Sequence, residues 1–416
     1  MTFPDSSVIN QRFECKIFAF GMSKNIFRSC ILTGSLFLGI QSFSQDSIPS
    51  FLKRDLEEVV VTANRGERKL GNVAVPVSII DKKTIQQAGS LRLKDILQEQ
   101  TGLFITAGFG AGVQMQGLSS SYTMIMIDGE PLVGRTAGTL DINRIAVSNI
   151  KKIEIIKGPS SSLYGSEALA GVINIITDKS YQRKFNAGLR YGTYNTTDLN
   201  LGYNDRIGKL GISWQGNGYY TDGYSVRPNT VERAKLPILR LTQNLNLQYP
   251  LSARTQITLG LRYNFEQFKN ELGVENNGNL VVSKGKELNR DWNITPTLLH
   301  QFNSKVKTAF RVYGTSFTGE QTLDVENSNQ YRDFQRHRFF RVEDQTDWQV
   351  SKQLQITGGL GYTRETLNST RYDDEKSDKL NQAWYGFTQA EYSPLKWLTL
   401  IGGLRYDDNQ LYASAF

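Results

Sequence analysis

Residues 254–265 read RTQITLGLRYNF. In an extended chain Thr255, Ile257, Leu259, Leu261, Tyr263 and Phe265 fall on one face, and Arg254, Gln256, Thr258, Gly260, Arg262 and Asn264 on the other. Such a strand offers one side to an apolar medium and one to water. The same alternation recurs upstream. Phe185, Ala187, Leu189 and Tyr191 alternate with Asn186, Gly188, Arg190 and Gly192, and Leu199, Leu201 and Tyr203 alternate with Asn200, Gly202 and Asn204. A soluble sandwich alternates too, so the period alone does not distinguish water from lipid.

Connection lengths do. Outward from this segment the pattern marks about eleven strands, near 185–194, 197–206, 210–220, 239–249, 254–265, 288–301, 305–318, 335–349, 353–365, 381–393 and 397–407. After the first hairpin, tight connections near Gly208, Pro250, Ser304, Ser351 and Pro394 alternate with long ones over 221–238, 266–287, 319–334 and 366–380. Short turns on one rim and long loops on the other are the layout of a barrel that crosses an outer membrane. Aromatic residues near strand ends, including Tyr194, Tyr219, Tyr220, Tyr249, Trp397 and Tyr406, fit interfacial girdles. An odd number of up-and-down strands would leave open edges that lipid cannot satisfy. A complete barrel of about 22 strands is therefore expected, of which this chain carries about half.

Composition agrees with strands as the spanning element. No run of about 18 apolar residues occurs, which excludes helical spans. Aromatic residues make up 11 % and Gly is plentiful at 37, a mixture that suits β-rich chains. The net charge is +8, yet Lys and Arg are scattered and form no dense run, so nucleic acid is not expected as a partner. Residues Met22 to Ser44 read as an export signal: Lys24 and Arg28 precede an apolar stretch, Ile31 to Ile40, and Ser42-Phe43-Ser44 offers a cleavage site before Gln45. Met22 is the expected start, with Met1 to Gly21 an extension ahead of it. Cys15 and Cys30, the only cysteines, precede Gln45, so disulfides and thiolate-held metals are not expected in the mature chain.

Between about Ala74 and Thr177 the patterning is that of a mixed α/β domain. Pro76 to Ile80 is a β-type run, Asp81 can cap a short helix ending at Gly89, and Ser90 can cap a second through Gln100, closed by Gly102. Tyr122 to Ile127, Ile153 to Lys157 and Val172 to Thr177 are further β-type runs, with turn signals at Asp128-Gly129 and Gly158-Pro159. Gly108-Phe109-Gly110-Ala111-Gly112 lacks the spacing of a phosphate loop and reads as a flexible loop. Asp373-Asp374-Glu375 lacks the alternating spacing of calcium ligands. With only His300 and His337 available, no catalytic constellation can be assembled, and an enzyme is not expected.

Ahead of this domain stands Glu57-Glu58-Val59-Val60-Val61-Thr62-Ala63, an acidic, β-branched segment suited to pairing with a strand of another protein. With it the sequence resembles the TonB-dependent outer-membrane receptors. Glu58, Val59, Val60, Val61, Thr62 and Ala63 look like their TonB box. Leu93-Lys94-Asp95-Ile96-Leu97 with Thr101-Gly102-Leu103 is similar to the first plug motif, and Gly117-Leu118-Ser119 with Met124 to Gly129 to the next. Ile153 to Pro159, Ser162-Leu163-Tyr164-Gly165 and Ala170 to Thr177 form the strongest match. Family members often carry Arg where this chain has Gln116 and Lys157.

The resemblance implies a mainly β protein: a small α/β plug domain followed by an antiparallel up-and-down transmembrane β-barrel. It divides the chain into an extension and signal peptide (1–44), a periplasmic segment with the TonB box (45–65), the plug (66–180) and the first half of the barrel (181–416). It implies active import of a scarce nutrient across the outer membrane of a Gram-negative bacterium. The implied partners are a TonB-type energy-coupling protein with its inner-membrane motor, the lipid bilayer with lipopolysaccharide, and a metal chelate. No resident cofactor is implied, since metal arrives only within the transported ligand. Ala107, Gly108, Phe109, Gly110, Leu132, Val133, Arg135 and Thr136, in the plug's upper loops, are the expected ligand contacts, and Glu154 and Lys157 the expected plug–barrel charge network. A ferric siderophore is the first expectation for the ligand, because Arg227, Arg233, Lys235, Lys269, Lys284 and Lys286 in long loops can attract an anion. Haem and cobalamin are the alternatives, and a passive porin or an adhesin the competing classes.

Overall fold

The computed structural model describes residues 59–60, 68–69, 76–108, 110–136, 139–226, 233–276, 279–324, 331–371, 378–395 and 397–411. The signal segment, Gln45 and both cysteines, together with Glu58, Val61, Thr62, Ala63, Phe109, Arg227 and residues 373–375, lie outside the described residues. Strand β1 (Val59–Val60) pairs antiparallel with β2 (Arg68–Lys69), Val59 opposite Lys69 and Val60 opposite Arg68.

The globular domain follows. It comprises β3 (Val77–Asp81), α1 (Lys82–Ala88), α2 (Leu93–Gln98), β4 (Leu103–Gly108), β5 (Gly110–Met115), β6 (Thr123–Ile127), β7 (Glu130–Pro131), β8 (Ile150–Lys157), α3 (Ser161–Tyr164) and β9 (Gly171–Thr177). A five-stranded sheet runs in the order β3-β8-β9-β6-β7, with β6 and β9 parallel and the other pairs antiparallel. Ile153, Ile155 and Ile173 are fully buried against Leu93, Leu97 and Ile142, which fixes both short helices to one face. Asp81 caps α1 by accepting the Thr84 N–H at 2.7 Å, and Gly89 closes it at φ 65°, as the sequence predicts. Ser90, in contrast, does not cap α2. Residues 91–93 are held extended by Leu93 N–H to Ile145 O and Val147 N–H to Leu91 O, so the helix starts only at Leu93. The expected flexible loop at 108–112 is mostly ladder: β4 and β5 form a hairpin pairing Ala107 with Ala111 and Gly108 with Gly110.

The rest of the described chain is an eleven-stranded antiparallel sheet in strictly sequential order. Its strands are β10 (Lys184–Gly192), β11 (Thr196–Ile207), β12 (Leu210–Thr221), β13 (Ile238–Pro250), β14 (Thr255–Asn276), β15 (Asn279–Gln301), β16 (Val306–Asp324), β17 (Tyr331–Gln349), β18 (Leu354–Ser369), β19 (Lys379–Leu395) and β20 (Leu398–Asn409). Polar residues such as Asn264, Glu266 and Asp291 are buried on the concave face, while Tyr263, Trp292 and Leu360 stand exposed on the other. That is the inside-out arrangement of a barrel wall. No described helix is long and apolar enough to cross a membrane.

One expectation changes. The connection placed at 266–287 is not a loop: β14 and β15 continue as a ladder from Glu266 opposite Asn289 out to Asn276 opposite Asn279. β16 and β17 likewise extend to Asp324 and from Tyr331. Backbone hydrogen bonding needs no apolar face, so a hairpin can outlast the alternation that lipid imposes.

Candidate functional site

The plug's apical segments meet the upper strands of the sheet around a shared recess of about 1190 Å³. Two glycines allow the close approach. Gly110, at φ 95°, opens β5 where a Cβ would lie 2.5 Å from that of Asp141. Asp141 Oδ1 accepts the N–H groups of Ala111 at 2.9 Å and Asn143 at 3.0 Å, tying the hairpin to the next loop. Gly134, at φ 91°, lies against Phe317, whose ring would be 2.3 Å from any Cβ placed there. Its N–H donates to His337 Nδ1 at 3.2 Å, which leaves the proton on Nε2 to face Glu365 at 2.5 Å. Gln335 donates to Thr136 Oγ1 at 2.7 Å. Arg144 donates to Val133 O at 2.5 Å and sits over the Phe317 ring at 5.2 Å. The upper loop is thus stitched to β16 and β17.

Charges lining the recess are largely paired within it. Arg240 meets Glu266 at 2.5 Å, and Arg371 grips Asp333 at 3.1 and 2.5 Å. Glu287 accepts from Asn289 at 3.0 Å. Arg144, Arg240 and Arg371 face five carboxylates, those of Asp141, Glu266, Glu287, Glu320 and Asp333, in the lining, so no net positive charge is left for an anion. Among the expected contacts, Gly110 and Thr136 line this recess, whereas Leu132 lines a separate cavity with Arg262 and Tyr313. Val133 is buried. Arg135 turns back into the plug, donating to Ser120 O at 3.0 Å and Thr123 O at 3.2 Å and pairing with Glu167 at 3.8 Å, and burial lowers its pKa. Ala107 and Gly108 lie on β4. No motif or spacing in the sequence marks Arg240, Glu266, Phe317, Gln335 or His337 as site residues. Alternation assigns them to the concave face, but it does not say how high on the wall the plug reaches.

The described basic residues expected to draw an anion are placed elsewhere. Arg233 pairs with Glu271 at 3.1 Å, and Lys235 donates to the Tyr219 hydroxyl at 2.7 Å. Lys269 opposes Lys286, and Lys284 opposes Glu271, on the face of the β14–β15 ladder turned away from the recess.

Below the recess a polar seam joins plug to wall. Arg341 on β17 pairs with Glu130, and the Tyr313 hydroxyl donates to Pro131 O at 2.7 Å. Arg405 donates to Leu163 O at 3.3 Å, and Arg190 to Gly89 O at 2.7 Å. Arg92 is buried over the Tyr219 ring at 4.5 Å, with Asn217 at 3.4 Å and Asp198 at 4.0 Å. Burial, reinforced by Arg240, pushes its pKa down to about 10. Of the expected network residues, Glu154 takes Lys152 at 2.7 Å and Lys157 donates to Thr101 O at 2.7 Å, both contacts within the plug. Among the described residues, no group of three or more His, Cys, Asp or Glu is arranged to hold a metal ion.

A globular domain seated by polar contacts inside a wall of antiparallel strands defines a plugged outer-membrane-type barrel. Residues 69–172 match the family model described as TonB-dependent Receptor Plug Domain. It is 28 % identical over 373 residues to the Vitamin B12 transporter BtuB of Vibrio cholerae serotype O1, an alignment covering 86 % of this chain and 58 % of that protein. The chain therefore spans little more than half the length of this curated relative. The ferric enterobactin receptor PfeA of Pseudomonas aeruginosa shares the fold at TM-score 0.65 and 17 % identity, covering 86 % of this chain and 60 % of its own. The siderophore receptor PiuA of Acinetobacter baumannii does so at TM-score 0.65 and 15 % identity, covering 86 % and 62 %. These relatives are transporters and receptors, not enzymes.

Proposed function

We propose that this chain forms the plug and part of the wall of an outer-membrane importer for a bulky metal chelate, driven by a TonB-type coupling protein. The observation that carries this is the recess itself. Its lining comes from both plug and wall, and Gly134–His337 and Thr136–Gln335 connect the two directly. A ligand settling there acts on the plug and the wall together, which is what coupling of occupancy to release at the other end requires. Glu58 to Ala63 is the coupling segment in this reading. The pairing of β1 with β2 supports it, because a backbone already extended can exchange β2 for a partner's strand. The metal belongs to the cargo.

For the ligand, a lining in which carboxylates outnumber cations disfavours an anionic chelate and suits one with no net negative charge and many amide or hydroxyl groups. Cobalamin, named for the Vibrio cholerae relative, is of that kind. Ferric siderophores, the first expectation from the sequence and the ligands named for the solved receptors, become the second reading. An uptake panel of cobalamin, ferric siderophores and haem, run with the gene in a receptor-deficient outer-membrane strain, separates them. Entry of none of these overturns the importer reading. Val60→Pro should abolish uptake while leaving surface binding intact; unchanged uptake would instead fit a passive porin.

A further inference from the structure

The recess is the uppermost of three cavities that follow the same strands. Along β13 its lining includes Arg240, a second cavity of about 850 Å³ takes Asn244 and Asn246, and a third of about 1310 Å³ reaches Pro250 beside the tight turn. β14 repeats the order with Glu266, then Gly260 and Thr258, then Gln256, and β15 with Asn289, then Thr295, then Leu299. From Arg240 to Pro250 an extended chain covers roughly 33 Å. The cavities are therefore stacked along most of the wall, on its concave face, and the plug residues Asp128, Glu130 and Leu132 close the middle one from the other side.

The middle cavity differs from the wall on either side of it. Asn244, Asn246, Thr258, Thr295 and Thr297 line it, and among the described residues none of these five side chains takes a hydrogen bond from the protein. Gly260 adds open space, since the nearest atom to a Cβ there would be Asn246 Oδ1 at 3.6 Å. The charges at its margin are matched: Asp128 by Lys179 at 3.0 Å, Arg262 by Asp291 at 2.7 Å, Arg311 by Glu343 at 3.5 Å and Glu130 by Arg341. To one side β17 buries Arg341, Glu343 and Asp347, and to the other Asp198 on β11 faces Arg92. Between these charged stretches lies a lane of neutral amides and hydroxyls. Such groups hydrogen-bond a neutral polar solute, and they hold it less firmly than charges would, so it can move on.

One polar layer separates this cavity from the recess. On the wall Thr242 donates to Asn264 at 2.9 Å, and Asn264 opposes Asp291, which holds Arg262. On the plug the layer is closed by β7, whose Pro131 O accepts from the Tyr313 hydroxyl and whose Glu130 pairs with Arg341. β7 is the edge strand of the plug sheet, paired on one side only, to β6. We propose that cargo leaves the recess along the concave face of β13–β16, with β7 and Tyr313 as the gate and the middle cavity as a transit site for a neutral chelate bearing amide and hydroxyl groups. An edge strand can swing without breaking the ladder of β8 and β9 behind it. The inference rests on the importer reading and adds to it the route and the residues that bar it.

Gly260→Trp tests the route, because the position has room for a side chain and lines the middle cavity but not the recess. With cyanocobalamin as the probe in a receptor-deficient strain, this variant should bind at the cell surface as the parent does and import about ten-fold more slowly. Gly358→Trp, on the outward face of β18 opposite Thr388, should change neither. Uptake by Gly260→Trp at the parental rate overturns the route. Should that variant fail to assemble, Thr258→Val with Thr295→Val, which keep the shape and remove two hydroxyls, should slow uptake about five-fold. An unchanged rate there overturns the transit site. Absence of cyanocobalamin binding by the parent removes the cobalamin reading and not the route, which a measurement without cargo then decides. In vesicles of the purified protein, Thr295→Cys should react with a maleimide about five-fold faster when Tyr313→Phe frees Pro131. Equal reaction rates overturn β7 as the gate.

Discussion

Within the plug, Ile153, Ile155 and Ile173 are fully buried in an apolar cluster with residues of the two short helices, among them Ile85, Leu93 and Leu97. Along the seam with the wall, Arg92, Glu130 and Arg341 are buried almost as deeply, yet they meet partners through ion pairs and hydrogen bonds. Among the described residues, Nε and Nη2 of Arg92 and Nε of Arg341 have no hydrogen-bond partner. The two regions cost different amounts to open. Each buried Ile contributes about 1.5–3 kcal/mol that is forfeited on exposure. A polar seam exchanges its hydrogen bonds for water at a net cost near 1 kcal/mol each, and Arg92 regains hydration. A plug built this way can shift as a body before it unfolds, as the import proposed above requires.

The sharpest way to break the comparison is at the seam. Arg341→Ala leaves Glu130 buried without this cation and should destabilise plug seating by about 3–5 kcal/mol. The expected sign is faster amide exchange over residues 130–136 while β8 and β9 stay protected. Loss of protection throughout the plug would show that seam and core are one cooperative unit.

Ile155→Ala attacks the other side. It removes fully buried carbons and should cost about 2–5 kcal/mol, read as protease cleavage across β8 and β9 with the eleven-stranded sheet intact. Cleavage confined to the apical loops would mean that the core does not hold the plug together. A third change sharpens the contrast: Glu130→Leu combined with Arg341→Met should recover the loss of Arg341→Ala, ending neutral to about 1–4 kcal/mol more stable, because the desolvation of both charges disappears. If the seam serves motion, this double variant binds ligand but imports slowly. Uptake at the parental rate would deny the pair that role.

Much of the wall was legible because lipid imposes a strict alternation, as at 254–265, and because turns such as the one at Gly208 are short on one rim. Where that pressure ends, legibility ends. Beyond Glu266 the ladder continues with no apolar face to announce it, so a hairpin reads as a loop, and Lys269 and Lys286 read as loop charges that attract an anion when they face outward from the ladder. The seam was illegible for a different reason. Arg341 and Glu130 lie 211 positions apart, and only the seating of the plug brings them together. Glu154, which motif resemblance did highlight, has its ion pair two residues away on its own strand.

The smallest expected effect is at the one plug feature that sequence, structure and proton linkage describe alike. Asp81 accepts from the side chain and N–H of Thr84, and these bonds hold its carboxyl below the usual 3.8. A carboxylate with a depressed folded pKa stabilises fully above its unfolded value and loses that contribution as pH falls through the folded one. Protection of the α1 amides should therefore weaken below about pH 3.8 in the parent and not in Asp81→Asn, which caps without titrating. Asp81→Ala should cost about 0.5–2 kcal/mol at neutral pH, confined to α1 because the sheet beneath it holds by apolar contact. Equal acid sensitivity in parent and Asn variant would show that the helix loosens in acid through another group, and that even this local element answers to the charged seam more than to its cap.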